Sequence, residues 1–332
     1  MRFTVCFIAL IISSLFAASQ DVAEMQETAR SFMRKGDFAN STLVLTKAIQ
    51  MEPENMSVAK DLALSYYYQK NFQKALQTIK PVIESSQTDD QCFQIAANIY
   101  LSLQNFKEAE NTYKTGLKKF PASGGLYNDY GELLWGLQDN SAINQWENGM
   151  AADPSFAKNY YNSSRFYYLT GNFTRTLIYG EIFINIDPLN SKTPEIKEML
   201  LESYKKIFTL NDIVADSKPS SPFEKAILET LDKQKELAAF GLTVDALTMI
   251  RSRFIINWFE NYNTKFPFYL FEYEQQLLAS GLYEAYNYWV FGAAANLAEF
   301  QKWVSNNSTQ YSDFIKFHKS KLFKMPAGQF YK

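Results

Sequence analysis

A period restricts this chain more than any other feature. Gly36-Asp37-Phe38, Lys70-Asn71-Phe72 and Gln104-Asn105-Phe106 repeat one short pattern every 34 residues, and Gly171-Asn172-Phe173 restates it later. A second punctuation accompanies it: Pro53, Pro121, Pro154 and Pro188 are separated by 68, 33 and 34 residues, and each follows a helical stretch such as Leu45 to Glu52. Proline suits that place because it cannot continue a helix. A unit of this length cannot bury its apolar stripe alone, so the period predicts repeated units stacked over a continuous core. The composition points the same way: 27 Phe, 21 Tyr and 5 Trp against 13 Gly and 10 Pro favour helix stacking over a turn-rich β architecture. The expected fold class is all-α, and 332 residues allow about two domains.

The pattern resembles the tetratricopeptide repeat family, whose unit is a helix, a tight turn and a second helix in 34 residues. Small residues stand where its first helix approaches a neighbour, at Ala29, Ala63, Ala97, Gly131 and Ser164, with Phe32, Tyr66, Tyr100, Leu134 and Tyr167 one turn later. Small residues also open the second helix, at Ser41, Ala75, Ala109, Ala142 and Thr176, and recur near its end at Ala48, Gly116 and Gly149, where Val82 and Phe183 depart. Five repeats follow, at about 22–55, 56–89, 90–123, 124–156 and 157–190. The fourth is one residue short between Gly131 and Ala142 and has Asn140 in place of the turn aromatic.

The resemblance implies a helical solenoid whose concave face is lined by the first helices and works by protein–protein recognition. It places Gln26, Arg30, Met33 and Arg34 on that face, then Lys60, Leu64, Tyr67 and Tyr68, then Gln94, Asn98 and Leu101. The last two repeats add Asn128, Glu132 and Trp135, then Tyr161, Arg165 and Tyr168. Arg, Tyr and Trp combine large contact area with hydrogen bonding. The candidate partner-binding set is therefore Arg30, Arg34, Lys60, Tyr67, Tyr68, Asn98, Asn128, Glu132, Trp135, Tyr161, Arg165 and Tyr168. Some relatives clamp chaperone C-terminal carboxylates through Lys and Asn. Here Gln26 and Arg30 hold the first two clamp positions, so that role does not transfer.

Residues 1–19 read as a secretory signal peptide: Arg2, an apolar run from Phe3 to Phe16, then Ala17 and Ser19 before a cut at Gln20. The expected location is secreted or periplasmic, with no transmembrane segment after cleavage. Cleavage leaves Cys92 as the one thiol, so no disulfide can form within the mature chain, and one His with two Cys cannot build a conventional zinc site. No cofactor or metal is expected, and most His- and Cys-dependent enzyme classes fall away. Thirty-three basic against 35 acidic residues supply no strongly basic domain, so nucleic acid is not an expected partner.

Beyond the repeats, 191–222 reads as one more amphipathic helix, Thr193 to Leu210, and a Ser/Pro-rich linker, Asp216 to Pro222. Residues 223–332 read as a helical capping domain, with one helix from Phe223 to Phe240 stopped by Gly241. Another runs from Thr243 to Tyr262 with Val244, Leu247, Ile250, Phe254, Trp258 and Tyr262 on one face. The general character of this region resembles the helical tail of secreted repeat proteins of Bacteroidetes-type bacteria. His318 reads as a core or surface residue, and the lysines after residue 314 as a solvated face.

The leading expectation is a non-enzymatic envelope scaffold for a protein or peptide. Two alternatives stand beside it: glycan binding through groove aromatics, and a glycan-cleaving enzyme using Glu272 and Glu274. Those two carboxylates lie two apart, so a helix points them to different faces.

Overall fold

The computed structural model describes residues 21–239 and 241–329, so the leader expected at 1–19 lies outside the described residues. The described residues form two compact units, divided between Leu137 and Gln138. All regular structure among the described residues is helical.

The first unit contains α1 (21–34), α2 (Phe38–Met51), α3 (Met56–Tyr68), α4 (Phe72–Glu84), α5 (Asp90–Ser102), α6 (Phe106–Lys119) and α7 (Gly124–Gly136). Its turns explain the period. At Gly36, Lys70 and Gln104 the backbone enters the left-handed region, with φ of 77°, 61° and 59°. The amides of Asp37, Asn71 and Asn105 then donate back to the carbonyls of Phe32, Tyr66 and Tyr100, each at 2.9 Å, which satisfies carbonyls orphaned at the helix end. The same three residues turn a side-chain oxygen onto the amide three positions ahead, at 3.1, 3.4 and 3.3 Å, and so cap the next helix. One acidic or amide residue thus closes one helix with its backbone and opens the next with its side chain. The aromatic after it is the first residue of that helix.

Stacking depends on small side chains. Ala29, Ala63 and Ala97 on the first helices, and Ser41, Ala75 and Ala109 on the second, are fully buried. At Gly116 an added Cβ would stand 2.9 Å from Cβ and Cγ of Phe93, so α5 and α6 touch there without room for a methyl group. Val82, which departs from the small-residue pattern, is buried as well.

The second unit opens with another left-handed residue, Gln138, φ 61°, again 34 residues after the last. Here Asp139 accepts from the Ser141 amide at 2.8 Å, and α8 (Ala142–Ala152) begins only afterwards. The fourth expected repeat therefore has its first helix in one unit and its second in the other. Next come α9 (Ala157–Thr170), α10 (Phe173–Ile186) and α11 (Thr193–Phe208), with Gly171 left-handed and Asn172 capping α10 as in the first unit.

The run read as a linker, 216–222, takes in the last two residues of the short α12 (Ile213–Ser217) and the capped entry to α13 (Pro222–Asp232). There Ser221 caps the helix and Glu224 accepts from the Ser220 amide and hydroxyl at 2.9 and 2.8 Å. The single helix expected from Phe223 to Phe240 is two pieces, because α13 stops at Asp232 and α14 covers Lys235–Ala238. The cause is Gln234, which is buried. Its amide N–H tightens the helix end by bonding the Leu231 carbonyl at 2.8 Å.

The remaining elements are α15 (Val244–Asn261), α16 (Tyr269–Ala279), α17 (Tyr283–Asn287), a π-helical turn (Tyr288–Gly292), α18 (Ala293–Ala295), α19 (Leu297–Asn306) and α20 (Ser308–Ser320). The face expected on α15 is buried from Val244 through Trp258 at the named positions, while Tyr262 is half-buried. One continuous core includes the fully buried Leu200, Leu228, Leu247, Trp258, Leu277, Phe291 and Phe314. Gly292 ends the π-helical turn where Phe300 leaves no space for a Cβ. Lys316, read as part of a solvated face, pairs with Asp313 at 3.1 Å.

Candidate functional site

In the first unit, adjacent first helices are tied by polar pairs. Gln26 and Arg30 of α1 both donate to Asp61 of α3 at 2.7 Å, Lys60 of α3 meets Asp89 at 2.6 Å, and Gln94 of α5 meets Asp129 of α7 at 2.6 Å. These ties join residues 29 to 35 apart, the length of one repeat. Arg30 and Lys60 therefore tie neighbouring repeats together. Arg34 is exposed and paired with Glu27 at 2.8 Å. Tyr68, half exposed, stacks on Phe38 with centroids 4.8 Å apart, and Tyr67 packs between Tyr68 and Phe72.

Past these ties the face deepens into a pocket of about 410 Å³ between α5, α6 and α7. Its apolar wall is Leu101, Phe106, Leu133 and Leu137; its polar groups are Asn98, Tyr113, Asp129 and Glu132. Of the expected set, Asn98 and Glu132 line this pocket directly. Asn128 is buried beneath it and donates to Asp129 at 2.9 Å and to Glu132 at 3.2 Å, which fixes both carboxylates. Trp135 is half-buried on the same helix. The Tyr113 hydroxyl, donating to the Asn98 side chain at 3.4 Å, is held well above its usual range by burial and then by the charges of Asp129 and Glu132. It stays a neutral hydrogen-bonding group.

Sequence reasoning missed Tyr113, Phe106 and Asp129. The first two come from the second helix of a pair, which the reading of first-helix positions passes over. Asp129 follows Asn128 by one residue, a rotation of about 100° on a helix, and a position-by-position reading cannot resolve that step. The pocket sets apolar volume beside oxygens that can accept hydrogen bonds. Its size lies within the usual range for ligand pockets, about 300–1,000 Å³.

The other three expected residues lie in the second unit. Tyr161 donates to Glu195 at 3.1 Å, and Arg165 pairs with the same carboxylate at 3.0 Å while lying over the Tyr161 ring at 5.4 Å. Tyr168 packs on Phe173.

Below the surface of this unit lie two charged clusters. Arg175 of α10 meets Glu147 at 2.7 Å and Glu224 at 3.6 Å, with Tyr167 donating to Glu147 at 2.7 Å. Arg251 of α15 bonds Glu181, Glu274 at 3.0 Å and the Asn287 side chain at 2.6 Å; Tyr283 donates to Glu274 and Tyr286 to Glu181. Burial raises the Glu274 carboxyl to about 8, against the pull of Arg251. Glu274, one of the carboxylates weighed for glycan cleavage, is thus enclosed in a structural network. His318 is held down at about 4 by burial and by Lys197, and its Nδ1 lies 2.8 Å from the Tyr273 hydroxyl. Among the described residues no cluster of three or more His, Cys, Asp or Glu is arranged to hold a metal, and no helix is long and apolar enough to cross a membrane.

Residues 34–116 match the family described as anaphase-promoting complex, cyclosome, subunit 3. No curated protein matches the chain. Among solved structures it is similar to a thermophilic tetratricopeptide repeat protein of Thermus thermophilus, at 12% identity over 54% of this chain and 99% of that one, TM-score 0.45. It is also similar to a tetratricopeptide repeat protein of Parabacteroides merdae, at 17% identity over 71% and 92%, TM-score 0.43. A third is YrrB, described as having an unusual peptide-binding site, at 14% identity over 56% and 97%, TM-score 0.38. The recurrent left-handed turns and the buried small residues form the stacked helical pairs that the tetratricopeptide repeat resemblance implies, and the family match falls within them, at residues 34–116.

Proposed function

We propose that the chain is a binding scaffold whose first unit takes an extended segment of a protein partner, and that it acts in the cell envelope or outside the cell. The observation that supports this reading best is the pocket of about 410 Å³ on the first-helix face, where apolar walls stand beside fixed carboxylates. An apolar side chain of the partner enters the volume, and its neighbouring backbone or side-chain N–H groups donate to Asn98, Asp129 and Glu132. Tyr68 and Arg34, both exposed, extend the contact along the face.

The reading is one of recognition and not of catalysis: the groups that carry it position hydrogen bonds, and Glu274 is engaged by Arg251 and Tyr283. The location rests on the leader, and N-terminal sequencing of the mature chain should begin at Gln20.

The test is capture from an envelope or secreted fraction of the source, followed by titration of the captured partner. Leu101→Ala, Phe106→Ala and Glu132→Ala combined should weaken it at least about tenfold, or about 1.4 kcal/mol. Unchanged affinity in a folded variant would remove the pocket from the interface.

A further inference from the structure

After α20 the chain crosses the second unit without regular structure as far as a turn at Ala327-Gly328, and from Phe323 to Pro326 its side chains alternate. Phe323 and Met325 are buried at 3%, while Lys324 and Pro326 between and after them are exposed. Phe323 packs on the rings of Tyr269 and Tyr273 at 5.2 and 5.3 Å. Gln329 accepts from the Tyr269 amide at 2.6 Å. Among the described residues no backbone–backbone hydrogen bond joins 322–329 to the rest of the unit. Side chains alone therefore hold this stretch, two apolar anchors and one amide.

Beneath it lies an aromatic and apolar surface continuous with the core of the unit. Met325, Pro326, Gly328 and Gln329 close a cavity of about 30 Å³, roughly the space of one water. The opposite walls are Tyr160, Tyr179, Phe223 and Phe268, with the Arg175–Glu224 pair beside them. A residual void under an extended segment means that the segment fills the groove incompletely. The charged pair at its edge already has partners, Glu147, Ser220 and Asn172, so it does not need the segment for its own satisfaction.

We propose that residues 323–329 are an exchangeable strap occupying a second peptide groove, and that the groove accepts in its place an extended segment with apolar side chains at alternate positions. The strap is its own evidence for that chemistry: an aromatic side chain, an exposed residue, then a flexible apolar side chain. Extended peptides that alternate inward and outward side chains are recognised in this way. A strap tethered to its own groove competes at a high effective concentration, so the closed form dominates until a ligand is abundant or the strap is weakened.

The full-length chain carrying Phe323→Ser and Met325→Ser should bind a labelled synthetic peptide of residues 321–332, followed by anisotropy. The intact chain should bind it at least about tenfold more weakly, because its own strap competes. The peptide with the same two substitutions should not bind. A folded variant that shows no binding up to about 1 mM, which corresponds to about −4 kcal/mol, overturns the proposal. So does equal binding by variant and intact chain. If the double variant fails to fold, thiol labelling decides. The thiol of a Met325→Cys chain should react about a hundredfold faster than that of a Leu277→Cys chain, buried in α16, because the strap opens without the core. Equal rates would make 323–329 a permanent part of the core and end the proposal.

Discussion

Replacing Gly116 by Ala tests the packing of the repeats at a single carbon. The new Cβ would lie 2.9 Å from both Cβ and Cγ of Phe93 and 3.1 Å from Cδ1 of Leu126, so α5 or the start of α7 must shift. Overpacking of a filled interface costs about 1–3 kcal/mol. Against this, Ala is favoured over Gly inside a helix by about 0.8–1 kcal/mol. The difference leaves a net destabilisation of about 1 kcal/mol. Gly136→Ala is the control, since nothing lies within 4 Å of its added Cβ and its helix should be neutral or slightly more stable. Two compact units make a single melting temperature a poor readout, so the assay is local hydrogen exchange over α5 and α6. Gly116→Ala should speed exchange there about fivefold, which corresponds to about 1 kcal/mol. Exchange as slow as in the Gly136→Ala chain would mean that the helices do not approach as described.

Three further outcomes follow from other parts of the structure. Glu274 binds its proton more tightly when folded, about 8 against 4.5, so its contribution to stability is complete below about 4.5 and is lost as pH rises through about 8. The thermal stability of the second unit should therefore fall between about pH 4.5 and 8, and Glu274→Gln should flatten that decline; an unchanged slope would place the titration elsewhere. Lys70→Gly and Gln104→Gly should raise the denaturant midpoint, because a side chain in the left-handed region costs about 1–2 kcal/mol and glycine returns about 0.5–1 kcal/mol of that in chain entropy. A lower midpoint would contradict the turn assignment. Arg175→Met leaves Glu147 and Glu224 buried without their cation and should cost about 3–5 kcal/mol, read from denaturant unfolding; a loss under about 1 kcal/mol would mean that water reaches the pair.

The turns of the first unit were legible because their chemistry is local. Asp37, Asn71 and Asn105 announce both the end of one helix and the cap of the next, within a few residues. The buried small residues were legible for the same reason, since a fixed period places them on one helix face. The ties from Arg30 to Asp61 and from Lys60 to Asp89 were not, because each partner lies in the neighbouring repeat and nothing in the local pattern marks it. Nor were Arg175 and Arg251: a sequence assigns arginines to solvent by default, and only the packed helices bring carboxylates around them. The break at Gln234 and the π-helical turn at Tyr288 escaped because neither contains a residue that stops helices: the first is a tightened backbone turn onto Leu231, and the second ends where Gly292 meets Phe300.

Site-specific photocrosslinking with the captured partner tests the account at its centre. A crosslinking residue placed at Glu132, at Tyr68, or at Leu43, which is 70% exposed on the second helix of the first pair, probes opposite expectations. The partner should be trapped from Glu132 and Tyr68 and not from Leu43. Trapping from Leu43 alone would put the interface on the second helices and contradict recognition by the first-helix pocket.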